Sequence, residues 1–309
     1  MQLSRGLGAR LNTGIGGRDA ALGHAAMLLF SSMVAGSFTF GALTANLVHP
    51  VAFQAMRFAC AAAVVGLLGL ATGQIRLSDA RAPWRWLILG GTFSTYFVLM
   101  FEGLKTAPPV SASAVMTLMP IMTAIFSWII LRQVTTRRIA LALGIGAVGA
   151  LWVIFRGDFA RLLAMDVGRG EAIYFLGCIA HALYVPLLRW MSRGESAVSS
   201  SFWVLSAGTL VLLAYGWGPI MATDYASLPP IVWIALGYLS VGAMAVTFVC
   251  LNFASVRLVG AKVMAYTYLT PGWVILWELA FGHGLPDPHV LAGLILTAVA
   301  IVLLLKHEG

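Results

Sequence analysis

Along most of this chain the apolar residues neither alternate nor keep to one helix face; they run almost unbroken for stretches of about 20 residues. That is the length a helix needs to cross the hydrocarbon core of a bilayer. Ten such stretches can be marked, at 21–43, 49–71, 84–104, 108–131, 137–155, 170–190, 198–217, 231–254, 258–281 and 288–305. Their connectors are short and carry Gly, Pro, Asp or Arg at the breaks, as in TGQIRLSDARAP, RQVTTRR and GHGLPDP. The pattern predicts an all-α polytopic membrane protein of ten transmembrane helices. The first stretch follows Arg5, Arg10 and Arg18, as the core of a secretory leader would. It is longer than the roughly 7 to 15 apolar residues of such a core, and is read as a span.

Two of the stretches contain a helix breaker near their middle. TLMPIMTAIF holds Pro120 and TYLTPGWVIL holds Pro271, 151 residues later. That offset lays the fourth span on the ninth, and roughly the third on the eighth and the fifth on the tenth. The chain then reads as a cytoplasmic N-terminal segment at 1–20, a five-helix repeat at 21–155, an external connector at 156–169, a second five-helix repeat at 170–305 and a cytoplasmic tail at 306–309. Five is odd, so the second repeat enters the membrane from the opposite side. Two such inverted halves around a central cavity can exchange conformations and open one site to each face in turn, which is the logic of a transporter. Each proline also lacks the N–H that would serve the carbonyl one turn earlier, at Met116 and Thr267. Pro120 and Pro271 are therefore expected to be hinges facing the shared cavity.

Composition agrees with lipid as solvent: 60% of the residues are hydrophobic and 10% are charged, against about 25% charged in soluble domains. The net charge of +8 comes from basic residues scattered between spans, so nucleic acid is not an expected partner. With a cytoplasmic N-terminus, fourteen Lys and Arg fall on the inner side and four on the outer. This places both termini in the cytoplasm and a bacterial-type chain in the cell inner membrane. Trp84, Trp86, Trp128, Trp152, Trp190, Trp203, Trp217 and Trp233 lie near predicted helix ends, as an aromatic belt requires. Cys60, Cys178 and Cys250 show no paired or metal-ligand spacing and are read as small packing residues. Neither a metal nor another cofactor is indicated, and no nucleotide-binding loop is present to couple transport to ATP.

The ten-span, five-plus-five layout, the stretch HPVAFQAMRFACAAA with Pro50 and Arg57 in span two, and TLMPIMTAIFSWIILRQ followed by GIGAVGALWVIF across spans four and five resemble the drug/metabolite transporter superfamily, EamA-type. Within it the chain most resembles the bacterial aromatic amino acid exporters. The resemblance covers about 20 to 305, and implies a substrate cavity lined by spans one, three, four, six, eight and nine. In the second half WELAFGHG places Glu278 about one turn earlier than the usual acidic residue after the proline.

Several side chains are candidates for that cavity. Phe93, Tyr96, Phe97 and Met100 recur at i, i+3, i+4 and i+7 in span three. Span four offers Met116, Met119 and Thr123, span six Tyr174, His181 and Tyr184, span eight Met244, Thr247 and Phe248, and span nine Tyr266, Thr270, Trp273 and Trp277. A Phe or Met in a membrane helix more often packs in the core or faces lipid than lines a substrate site; polar handles such as Tyr96, His181, Tyr184, Tyr266 and Trp273 point more strongly to an interior surface. Arg57 and Glu102 sit at similar depth near the outer side and are expected to form a structural ion pair, and Lys262 snorkels. Little fixed charge then remains in the cavity, which suits a small amphipathic solute such as an aromatic or other hydrophobic amino acid, or another neutral solute or drug. Gly144, Gly146 and Gly149 in span five read as close packing, within a monomer or along a homodimer seam. A membrane enzyme acting on lipid is the reading from another class, and His283, Asp287 and His289 are its nearest catalytic candidates.

Overall fold

The computed structural model describes residues 17–134, 136–155, 157–164, 167–255, 266–284, 286 and 288–305. Every regular element among them is helical. The longer elements are α1 (Gly17–Ala45), α2 (Pro50–Ala71), α3 (Pro83–Leu104), α4 (Pro109–Met116), α5 (Met119–Leu131), α6 (Arg137–Ile154), α7 (Arg169–Met191), α8 (Ala197–Tyr215), α9 (Pro230–Gly237), α10 (Thr247–Ser255), α11 (Thr270–Ala280) and α12 (Pro288–Leu305). Among the described residues eight helical stretches are long and apolar enough to cross a membrane, with α4 and α5 counted together and the stretch that starts at Pro230 running on to Leu251. The predicted ninth span begins among residues 256–265, which lie outside the described residues, as does Lys262.

The starts of these helices follow from local chemistry. α2, α3, α4 and α9 begin with proline in the first turn, where its missing N–H has no helical partner to lose and its fixed φ suits the helix. Side chains cap others: His49 accepts from the Val51 N–H, Thr136 from Ile139 and Ser196 from Ser199.

Where one span was expected at 108–131, the chain makes two helices. Thr117 and Leu118 donate to Ala114 and Val115, tightening the chain into a 3-10 turn just before the proline-bearing helix. The same device recurs at the second proline: a 3-10 turn at Tyr266–Leu269 leads into α11. The residue before each proline-bearing helix has nearly the same backbone, φ −80° and ψ −17° at Leu118 and φ −77° and ψ −16° at Leu269. A proline at the second position of a helix satisfies its own geometry, so the break sits on its N-terminal side. The eighth span departs from expectation differently. Between α9 and α10 it passes through a π-helical stretch, Tyr238–Val246, a widened turn that inserts a residue into the helical register.

Several of the larger helix contacts have a counterpart when the two halves are exchanged. α3 packs on α7 as α1 does on α10; α5 on α7 as α11 on α1; α3 on α8 as α2 on the π stretch. The pairs α2 with α8 and α6 with α12 join corresponding spans of the two halves. In lipid, hydrocarbon gives no hydrophobic drive for helices to associate, so close approach through small residues holds such contacts. Gly90 lies against the backbone of Gly208 where α3 crosses α8, Gly103 against Gly170 where α3 crosses α7, and Gly149 against the Gly293 carbonyl where α6 crosses α12. Gly146 faces the ring of Tyr268. The glycines of α6 other than Gly144 thus serve packing within the chain. Trp84, Trp128, Trp190, Trp217 and Trp233 are exposed on the outer surface, whereas Trp86 is buried.

A Cβ at Gly149 would stand 2.8 Å from the Gly293 oxygen, and one at Gly144 would meet nothing within 4 Å. Gly149→Ala is therefore expected to destabilise by about 1–3 kcal/mol. Gly144→Ala should be neutral, or stabilising by up to about 1 kcal/mol through helix propensity. Thermal unfolding of both variants in detergent measures the contrast, and equal midpoints would remove the packing role.

Candidate functional site

A cavity of about 500 Å³ lies at the centre of the bundle, within the roughly 300–1,000 Å³ range of small-molecule pockets. α3 and α7 build its most polar wall. Phe93 stacks on Tyr184 with centroids 4.8 Å apart, and the His181 ring lies 4.7 Å from Tyr96 and 5.8 Å from Phe93. Behind them the hydroxyls of Tyr96 and the fully buried Tyr174 are hydrogen-bonded at 3.0 Å. Tyr96 is thereby held from behind while it borders the cavity. Met116, Met119 and Pro120 come from the break between α4 and α5, and Ala243, Met244, Thr247 and Phe248 from the π stretch and the turn after it.

Of the side chains singled out in the sequence, Phe93, Tyr96, Met100, Met116, Met119, His181, Tyr184, Met244 and Phe248 border this cavity, with Phe97, Thr123 and Thr247. Tyr266 and Trp273 do not. The Tyr266 hydroxyl meets His24 Nδ1 at 2.7 Å, Trp273 Nε1 donates to Ser31 Oγ at 2.9 Å, and Trp277 Nε1 donates to the Ser32 carbonyl at 3.2 Å. The aromatic side of the ninth span is thus spent on α1. Among its described residues, Thr267 is what that span brings to the cavity, and Met116 is its counterpart in the fourth; these are the two residues whose carbonyls the prolines cannot serve. Pro120 borders the cavity, whereas Pro271 is buried away from it, and the second kink reaches the shared space through Thr267 rather than through its proline.

The expected Arg57 to Glu102 ion pair is not formed. Glu102 pairs with Lys105 at 2.7 Å, three residues along its own helix and partly exposed. That neighbour is reached without desolvating either charge. Arg57 instead is fully buried and borders the cavity, its guanidinium 4.3 Å from the centroid of Phe97. Equal depth along two helices fixed the height of these residues but not the direction each faces. The wall also includes residues that no sequence signal singled out: Phe30, Ser37 and Phe38 of α1, and Ser200, Ser201 and Val204 of α8. The α8 serines look like a helix start in sequence, which is what Ser196 provides. Cys178 and Cys250 are buried as expected, but Cys60 is exposed and does not pack. His283 bonds Glu278 at 2.8 Å, and Asp287 and the His289 side chain lie outside the described residues.

The two ends of the cavity differ. Towards one end the Gly103 and Gly170 backbones touch, Ser111 donates to Glu171 at 2.8 Å, and Asn46 donates to the Lys105 carbonyl at 3.2 Å. Cavity-lining residues stop short of this region, at Met100 on α3 and His181 on α7. Towards the other end they continue to Leu188 and to Ala197, which is exposed. There the α2–α3 connector is tied to the α7–α8 connector. Arg85 pairs with Glu195 at 2.9 Å with side chains 3% and 4% exposed, Ser199 donates to Asp79 at 2.7 Å, and Trp86 Nε1 donates to the Asp79 carbonyl at 2.8 Å. Burial acts to raise the Glu195 pKa, but N–H groups of the Arg193 and Glu195 backbone and the Arg85 guanidinium outweigh it, and the carboxyl titrates below its ordinary value.

A multi-pass helical bundle with broken helices around a central amphipathic cavity is the construction of a membrane transporter. The chain belongs to the EamA-like transporter family, which matches residues 21–155 and again 168–306. It is 26% identical over 263 residues to the uncharacterized transporter YyaM of Bacillus subtilis (strain 168), covering 84% of this chain and 85% of that protein. It is 36% identical over 108 residues to the aromatic amino acid exporter YddG of Ancylobacter novellus (strain ATCC 8093), a match spanning 34% of this chain and 35% of that protein. A solved crystal structure shares the fold with a TM-score of 0.64 and 20% identity, over 93% of this chain and 96% of that one.

Glu195→Gln leaves the buried Arg85 without its counter-charge and is expected to destabilise by about 3 kcal/mol near neutral pH. Because the folded-state pKa of Glu195 is depressed, its contribution is full above the ordinary carboxylate pKa and fades as pH falls through the folded value. Melting of wild type and variant followed from pH 7 downward should show the gap closing on acidification; a gap independent of pH would contradict this assignment.

Proposed function

We propose that this chain is a secondary transporter that exports small amphipathic metabolites, with aromatic or other hydrophobic amino acids as the favoured substrates. The observation that carries this reading is the cavity wall of Phe93, Tyr96, Phe97, His181 and Tyr184, faced by the thioethers of Met116, Met119 and Met244. An aromatic side chain gains edge and face contacts there, and an ammonium group gains cation-π contact with the same rings. The partial match to an aromatic amino acid exporter supports the same substrate class.

Alternating access is the mechanism that fits. The two repeats, 21–155 and 170–305, have ten spans of inverted topology, with both termini in the cytoplasm and the protein in the cell inner membrane. The excess of Lys and Arg on one side supports this orientation. The arginine-rich end of the cavity is then cytoplasmic, and the state described is closed outside by the Gly103 and Gly170 contact and reached from within. Exchanging the arrangements of the two halves would loosen α3 from α7 and close α10 on α1, turning the same cavity outward. The 3-10 turns before Pro120 and Pro271 supply the hinges, because helices broken there can pivot without losing further hydrogen bonds.

Reconstituted in proteoliposomes with and without an imposed pH gradient, the protein is expected to move phenylalanine, tyrosine or tryptophan in preference to alanine and glutamate. No transport of any hydrophobic amino acid would sink the substrate assignment. Tyr96→Ala and His181→Ala should each cut that transport by about tenfold or more at unchanged reconstitution, a loss of roughly 1.4 kcal/mol. Pro120→Ala and Pro271→Ala, which let the broken helices close up, should slow turnover more than they alter half-saturation. A pure change in half-saturation would mean that the prolines shape the site rather than the motion.

A further inference from the structure

Arg57 stands apart from the aromatic and thioether lining of the cavity. It is fully buried, it borders the cavity, and none of its three guanidinium nitrogens has a hydrogen-bond partner. Arginine stays charged inside proteins, and a buried guanidinium with no counter-charge is costly. The Phe97 face beneath it at 4.3 Å offsets part of that cost but leaves all five N–H bonds unused. No described acidic residue is placed to complete it. Glu102 is committed to Lys105, Glu171 to Ser111, Glu195 to Arg85 and Glu278 to His283. Asp19 stands in the first turn of α1 and the other described aspartates lie in connecting segments, and the described cavity lining contains no other charged side chain.

Resting on the transporter reading above, we propose that Arg57 binds the carboxylate of the substrate, making this a carrier for apolar carboxylates and amino acids rather than for neutral or cationic solutes. The planar fork of a guanidinium matches a carboxylate with two parallel hydrogen bonds. The ligand thereby brings the counter-charge that the fold lacks. Phe97 fixes the plane of the guanidinium from one side, and the rings of Tyr96, His181 and Phe93 lie along the adjoining wall. A substrate with its carboxylate at Arg57 can lay its apolar or aromatic body along them. The arrangement also accounts for the buried charge: the empty site is the unfavourable state, and substrate relieves it.

The test uses the full chain in nanodiscs, with bound tritiated phenylalanine displaced by 3-phenylpropionate, by phenylalaninamide, by phenethylamine and by chloride. In the wild type the carboxylate 3-phenylpropionate should compete at least about tenfold better than the amide or the amine. Arg57→Gln and Arg57→Leu should bind phenylalanine at least about tenfold more weakly and bring acid and amide within about twofold of each other, and Arg57→Lys should restore part of the preference. Without ligand, Arg57→Leu should melt no lower than wild type, because it removes an unpaired buried charge; a clear drop in that melting point would mark Arg57 as a structural group and overturn the proposal. Equal competition by acid, amide and amine in the wild type, survival of the acid preference in Arg57→Gln, displacement by chloride as effective as by 3-phenylpropionate, or no binding of either phenylalanine or leucine would each do the same. Binding of leucine but not of phenylalanine, with the same dependence on Arg57, would uphold the carboxylate site while refuting the aromatic preference of the transporter. Strong binding of phenethylamine would do the reverse.

Discussion

Hydrocarbon offers no partner for a backbone N–H or carbonyl, and nearly everything unusual in this fold follows from where that rule is broken. The helix at the fourth span is interrupted by a 3-10 turn ahead of Pro120, a 3-10 turn leads into the helix that bears Pro271, and the eighth span widens into a π stretch. Irregular backbone at such depth is tolerated only where protein or a polar cavity covers it. Met116, Thr267 and Met244, one from each irregular stretch, all border the central cavity. The breaks therefore define where the interior space lies, and the regular helices around them serve as its frame.

The frame and the cavity use opposite kinds of residue on the same helices. On α3, Gly90 and Gly103 allow backbone contact with α8 and α7, while Phe93, Tyr96, Phe97 and Met100 between them line the cavity. The polar ties at the arginine-rich end, Arg85 to Glu195 and Ser199 to Asp79, join the connectors of different halves. A tie of this sort tells the two ends of the bundle apart although their helices pack alike.

Much of this was legible in the sequence, for reasons that can be named. Unbroken apolar runs have one physical reading, so α2, α3, α6, α7 and α8 begin and end within about two residues of the predicted limits. The stripe of Phe93, Tyr96, Phe97 and Met100 was legible because α3 is a regular helix, in which spacing fixes direction. In the ninth span direction was not legible from spacing: Tyr266 and Trp273 give their polar atoms to His24 and Ser31 of α1 rather than to the cavity. Arg57 was misjudged for a different reason. Charge in a membrane helix suggests a salt bridge or snorkelling, and neither expectation anticipates a guanidinium held over Phe97 with no acidic neighbour.

The π-helical stretch Tyr238–Val246 acts as a register device. It amounts to one residue more than an α-helix of the same rise would hold, so every side chain after it is turned by about 100° relative to an uninterrupted helix. Thr247 and Phe248, which border the cavity, follow directly after that turn. Loss of a single residue from the stretch would restore a regular helix with almost no change in composition or hydropathy, yet it would point a different set of side chains at the substrate. Specificity in such a carrier can thus change by altering the count of residues in one helix as well as by altering their identity.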